Sequence, residues 1–267
     1  ELVSKLELNQ GLKLLLLEET PWVRDAQSEE EQMKRIAVLF DLNKMQNELM
    51  SAFTKLQGKQ YSSGGFPWFD GGDESRYITT HIVSGFGHLK SMGIDYESLF
   101  DGEIEELLDN AIRYLDKEME KEFDKYLTNK KLTPSNYDGI QYLYARSYFL
   151  EGYPLSKKAG QAKDYFLKEL DKDKFDQSLQ TQAMLSLIFH RFGKTDSAKK
   201  LLNSIKDHAV QSDEMGMYWK SNVSGWHWYQ APIETQALLI EAFDEVIKDL
   251  ESVESMKVWL LKNRQTN

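Results

Sequence analysis

Apolar residues recur every three to four positions through nearly every long stretch of this chain, a repeat that confines it to helices burying one face each. The first run extends from Leu2 to Glu18 and ends ahead of Pro21. Ser28 and Glu31 then form a capping box for a segment reaching about Gln57, with Ile36, Leu39, Phe40, Met50 and Phe53 in helical register. Ile78, Ile82, Phe86 and Leu89 repeat until Gly93 stops them, and Leu108, Ile112, Leu115, Met119 and Phe123 share one side of a helix from Ile104 to Leu127. A helix from Tyr137 to Glu151 is closed by Gly152. Further amphipathic helices follow over Ala159 to Leu170, Ser178 to Phe192, Ser197 to Val210, Ile233 to Ile247 and Val253 to Lys262. Aromatic and polar residues alternate between Met217 and Tyr229, which predicts one small β-hairpin around Ser221 to Ser224.

Short turns such as Gly152-Tyr153-Pro154 and Gly193-Lys194 join most of these helices, so neighbours in sequence run antiparallel. Two loops are longer, and they echo each other. One is Gly64-Gly65-Phe66-Pro67-Trp68-Phe69-Asp70-Gly71-Gly72-Asp73-Glu74-Ser75-Arg76, leading into Tyr77-Ile78-Thr79-Thr80-His81. The other runs from Met217 through Trp219 and Gly225-Trp226-His227-Trp228-Tyr229-Gln230, and passes by Ala231-Pro232 into Ile233-Glu234-Thr235-Gln236. Each is rich in Gly and Trp and places Thr in the first turn of the helix that follows, as expected of one helical-hairpin module used more than once. About ten such helices form an all-α ring or arc with its long loops on one rim, where recognition sits. The rim residues are then Trp68, Phe69, Trp219, Trp226, His227, Trp228 and Tyr229, with Trp68, Trp226 and Trp228 expected to pack partly into the helical core.

Composition excludes several functions. The net charge of −10 and the lack of a basic stripe with interleaved aromatics argue against nucleic acid as a partner. Lys130-Lys131 and Lys157-Lys158 sit beside Pro134 and Pro154 in turns, and the acidic runs Glu29 to Glu31 and Asp101 to Glu106 stand where helices begin and suit their dipoles. Zero cysteines rule out disulfides, thiolate metal sites and a cysteine nucleophile. Leu12 to Leu17 is far too short to span a bilayer, so direct membrane insertion by this segment is not expected. With five prolines in 267 residues and no low-complexity linker, residues 1–267 read as one domain.

The string from Gly64 to Gly72, then Arg76-Tyr77-Ile78-Thr79-Thr80-His81-Ile82, then Gly225-Trp226-His227-Trp228 with Pro232-Ile233-Glu234-Thr235-Gln236-Ala237-Leu238, resembles the helical thioester-containing domain of bacterial alpha-2-macroglobulin-like proteins. The resemblance covers most of the chain. It implies an α/α toroid of antiparallel helical hairpins, carried within a longer chain of macroglobulin-like β-sandwich domains. It further implies a part in inhibiting or trapping proteases at the bacterial envelope, in the periplasm or outside the cell, with target proteases and the neighbouring domains as partners.

In that family a Cys-Gly-Glu-Gln segment forms the thioester, and a sulfur is indispensable to it. Here the nearest string, Glu29-Glu30-Glu31-Gln32, has Glu29 in place of the sulfur and reads as a helix N-terminus. The family's motif would then lie ahead of Glu1 or be lost from this branch. Because related toroids continue past a helix such as Val253 to Lys262, an unclosed ring is expected, with Leu2, Leu6, Val258, Trp259 and Leu261 left on exposed flanks.

A carbohydrate-active helical barrel is the competing reading. Asp70, Asp73 and Glu74 in one loop and Glu234 beside the other could meet across the rim as the carboxylates of a glycoside hydrolase or lyase, with Trp and Tyr stacking on sugar rings. Asp and Glu beside Gly-Gly are also ordinary turn residues, and Asp73, Glu74 and Ser75 suit a helix start. His81 and His88 lie seven apart on one helix without the four-residue spacing of a zinc helix. Asp70-Gly71-Gly72-Asp73-Glu74 is not a cyclase acid motif, and the Gly pairs lack the Lys and spacing of a phosphate loop. The sequence therefore predicts a non-catalytic domain that needs neither cofactor nor metal, with a plain interaction scaffold as a third possibility.

Overall fold

The computed structural model describes residues 42–96, 100, 102–129, 137–225 and 231–263. Two compact units divide the chain, Glu1–Lys59 with Gln265–Asn267, and Gln60–Arg264. The described part of the first is one helix, α1 (Leu42–Gln57), whose last turn carries Lys55 toward the negative end of the helix dipole. The expected helix from Leu2 to Glu18 and the capping box at Ser28 lie outside the described residues.

The second unit is mostly helical. Its helices are α2 (Arg76–Ser91), α3 (Glu103–Thr128), α4 (Tyr137–Ser147), α5 (Lys157–Lys172), α6 (Leu179–Arg191), α7 (Thr195–Asp207), α8 (Pro232–Ala242) and α9 (Leu250–Lys262). Ser75, Ser156, Ser178 and Asp249 cap α2, α5, α6 and α9 by accepting hydrogen bonds from backbone N–H groups three residues on. The first layer of the unit consists of alternate helices, α2 on α4, α4 on α6 and α6 on α8. The intervening helices back them: α3 packs on α2, α4 and α5, α7 on α6, and α9 on α8. The predicted stripe of Leu108, Ile112, Leu115, Met119 and Phe123 is buried along α3, and Leu143, Leu185, Ile188 and Leu239 fill the first layer. The all-α class read from the periodicity therefore holds, although the described residues contain two small sheets and not one.

The first sheet forms inside the aromatic loop, where β1 (Phe66–Pro67) pairs antiparallel with β2 (Glu74–Ser75). Thr79 holds it to α2, donating from Oγ1 to the Ser75 carbonyl and accepting from the Phe66 N–H, both at 2.9 Å. Gly64 lies so close to α3 that a Cβ there would stand 2.0 Å from the Asn110 carbonyl oxygen. The loop's Thr and glycines thus serve its attachment.

The second sheet corrects the expected hairpin. Strands β3 (Val210–Ser212) and β4 (Gly216–Tyr218) precede Ser221 to Ser224, which belong to no strand. Gly216 decides the position: its φ is +71°, and a Cβ would meet the Ser255 carbonyl oxygen of α9 at 2.1 Å. Gln236 ties the hairpin and α9 to α8, donating from Nε2 to the carbonyls of Met217 (2.8 Å) and Met256 (3.3 Å). Trp259 of α9, expected on an exposed flank, is only 8% exposed, whereas Val258 and Leu261 do face solvent. Leu2 and Leu6 are outside the described residues.

Two helix ends also differ from the periodic reading. α4 stops at Ser147 and not at Glu151, because the buried Arg146 guanidinium donates to the carbonyls of Phe149 and Tyr153 and holds the chain in a turn. Arg146 also pairs with Asp116 of α3 at 3.1 Å, and the Tyr142 hydroxyl donates to the same carboxylate at 2.6 Å. Burial raises the Asp116 pKa, against the opposing pull of the Arg146 charge and the Tyr142 hydrogen bond. Past Ala242, α8 widens into a π turn (Phe243–Ile247) that ends at Lys248 with φ 54°.

Candidate functional site

Helical geometry builds a groove across the first layer. Residues at i, i+3, i+4 and i+7 share one helix face, and two facing helices present that pattern: His81, Ser84, Gly85 and His88 on α2, and Glu234, Ala237, Leu238 and Glu241 on α8. Between them Gln141 and Tyr144 of α4 and Gln180 and Met184 of α6 complete the walls of a groove of about 390 Å³.

Glu241 is the hub at one side of it. Its Oε2 accepts from the Tyr144 hydroxyl at 2.7 Å, and its Oε1 lies 2.5 Å from the Tyr148 hydroxyl and 2.7 Å from Arg191 Nη2. The Tyr144 oxygen also lies 2.8 Å from His88 Nε2 and 2.8 Å from the Tyr148 hydroxyl, so it links α2 to the Glu241 hub. Arg191 also grips Glu245 with Nε and Nη2 at 2.7 and 2.5 Å, and its guanidinium lies 3.9 Å from the centre of the Tyr148 ring. Gly87 makes room for this arrangement, since a Cβ there would come within 2.5 Å of the Tyr148 ring.

The electrostatics follow the burial. Burial first, and then the Glu241 charge, push the Tyr144 hydroxyl far above the ordinary phenol range; burial and Glu241 also raise Tyr148, against the opposing charge of Arg191. Burial alone would weaken the Arg191 cation, but the hydrogen bond and charge of Glu245 and the charge of Glu241 outweigh it and raise its pKa. Glu241 therefore accepts from three side chains, two at Oε1 and one at Oε2, which suits it to hold helices together.

The residues expected to matter are dispersed. Asp70, Asp73 and Glu74 are exposed on the aromatic loop, where Glu74 accepts a hydrogen bond from Ser63, while Glu234 lies at the groove. Trp68 and Phe69 project into solvent at 63% and 68% exposure, so the expected packing of Trp68 into the core is replaced by a stack on Tyr77 at 5.5 Å. Phe66 takes the core position, and the β1–β2 pairing ends at Pro67, short of Trp68 and Phe69. Trp219 is corrected from rim to core: it is 3% exposed, donates from Nε1 to the Ile205 carbonyl at 2.8 Å and meets Phe243 edge-on. Trp226, His227, Trp228 and Tyr229 lie outside the described residues.

Sequence reasoning noted the seven-residue spacing of His81 and His88, but it missed Arg191, Glu241 and Glu245. The signal was the matching seven-residue step from Glu234 to Glu241 on a second helix. Among the described residues no cluster of His, Asp and Glu is arranged to hold a metal ion, and no helix is long and apolar enough to cross a membrane. No known family profile matches the sequence, and no curated protein is detectably similar to it.

Proposed function

We propose that this chain is the α/α-toroid domain of a macroglobulin-like protein and acts without catalysis, as a docking surface in the inhibition or trapping of proteases at the bacterial envelope. The alternate-helix layering supports a toroid, and the motif residues behind the resemblance have matching structural duties: Thr79 fixes the aromatic loop and Gln236 fixes the hairpin. The observation that carries the docking role is the exposure of Trp68 and Phe69 on a loop whose base is pinned to α2 and α3, because large exposed aromatics on a fixed support are what an interface needs. The hydrolase reading gains less support, since Glu234 lines the groove without Asp70, Asp73 or Glu74. On this proposal the partners are target proteases and the macroglobulin-like domains of a longer chain, located in the periplasm or outside the cell.

The test uses the macroglobulin-like protein that carries this domain, mixed with an endopeptidase. Trapping leaves cleavage of a short chromogenic peptide intact and suppresses digestion of a large protein substrate, and the double variant W68S/F69S weakens the suppression. Equal digestion of both substrates with and without the protein would overturn the proposal. Turnover of a polysaccharide abolished by Glu234→Gln would replace it with the enzyme reading. Methylamine should not label this chain, which holds no Cys.

A further inference from the structure

We propose that the aromatic loop and the groove form one continuous binding track for a neutral oligosaccharide, a role that goes beyond protease docking and stands without it. The track begins at Trp68. Its indole stacks on Tyr77 at 5.5 Å and 29°, and Tyr77 in turn stacks on His81 at 6.4 Å and 13°. His81 is both the last ring of this ladder and the first residue of the groove wall. An aromatic platform on the surface therefore leads into a polar cleft, and both parts lie within the same compact unit.

The chemistry of the two parts selects the ligand. The outer ring of the ladder is mostly exposed and offers an apolar face, which suits the C–H face of a pyranose. The groove mixes donors with acceptors: Glu234 only accepts, the Gln141 and Gln180 carboxamides do both, and the His81 imidazole donates through one ring nitrogen. A sugar hydroxyl donates and accepts at once and can match such a wall throughout. A cationic side chain would pair with Glu234 but leave the carboxamide and imidazole N–H donors unmatched, and a proline-rich peptide would bring too few donors for Glu234 and the carboxamides. An anionic ligand would face Glu234 and Glu241.

Two further features favour occupancy. Ser84 Oγ and Gln180 Oε1, both of residues in the groove wall, are enclosed without a hydrogen-bond partner, and side-chain rotation is what lets either reach a ligand hydroxyl. The α2 wall is open at Gly85, since a Cβ there would meet nothing within 4 Å. Met184, Ala237 and Leu238 supply apolar contact for ring carbons, and about 390 Å³ falls within the range of small-ligand sites.

The test is titration calorimetry of the purified chain with cellohexaose, maltohexaose, laminarihexaose and chitohexaose, beside oligolysine and a proline-rich peptide. At least one oligosaccharide should bind. Trp68→Ala should weaken it by about tenfold, the loss expected for one stacking contact, with unchanged far-ultraviolet circular dichroism. Gly85→Ala, which adds a methyl to the α2 wall of the groove, should weaken it without lowering the unfolding midpoint. Glu234→Gln should alter neutral-sugar affinity by no more than about twofold, because the amide still hydrogen-bonds. Failure of all four oligosaccharides, affinity indifferent to both Trp68→Ala and Gly85→Ala, or selective binding of oligolysine or the proline-rich peptide would each overturn the proposal.

Discussion

Gly85 and Gly87 sit two residues apart in α2 and have opposite surroundings. A methyl at 85 enters open space, whereas one at 87 collides with the Cβ and ring of Tyr148. Alanine in a helix interior gains up to about 1 kcal/mol over glycine, while overpacking costs about 1–3 kcal/mol. Gly85→Ala should therefore raise the urea midpoint and Gly87→Ala should lower it, and equal shifts in the same direction would contradict the packing described for Tyr148. Nothing in the sequence separates these two glycines. Both interrupt the same helical repeat, and what distinguishes them is a side chain 61 positions further on, brought there by the packing of α4 on α2.

At the scale of the element, periodicity and capping residues made most helices legible, because apolar spacing and Ser at an N-cap act locally. Ser75, Ser156 and Ser178 start helices for that reason. The errors fall where a particular contact, and not the apolar repeat, sets the end. Arg146 stops α4 by holding carbonyls beyond it, and Gly216 places the hairpin by fitting against Ser255. Trp219 and Trp68 look alike in sequence but part company on the same ground, one sunk between Ile205 and Phe243, the other past the end of a two-residue ladder.

Asp249 gives the element scale a pH test. Burial opposes its charge, but hydrogen bonds from Lys206 and Ser252 and the Lys206 charge prevail and lower its pKa below the usual carboxylate value. A group depressed in the folded state contributes stability above its unfolded pKa near 3.9 and loses it as pH falls through the folded value. Asp249→Asn, which keeps the cap acceptor but removes the charge facing Lys206 and the helix start, should thus lower stability by about 0.5–1 kcal/mol at neutral pH and should flatten the decline below pH ~4. Denaturant titrations at several pH values check this; an unchanged acid limb would mean that Asp249 does not couple α7 to α9.

Across the whole helical unit, the site was legible in kind more than in membership. The loop aromatics and Glu234 were visible as unusual residues, but the cluster around Glu241 was not, since its members come from four helices and meet only through the layer. That cluster has a dynamic consequence. His88, Tyr144, Glu241 and Arg191 each belong to a different helix of the first layer and are bonded in that order, so opening any one of α2, α4, α8 or α6 breaks the run that joins the four. Amide protons in these helices should accordingly exchange with solvent at one shared opening free energy, as a single cooperative block. Arg191→Met, which removes one partner of an enclosed charge pair, should reduce protection in all four helices together by about 3 kcal/mol. Loss confined to α6 would mean that the helices breathe singly; a shared loss makes the Arg191 cluster the hinge pin on which the layer opens and closes as one body.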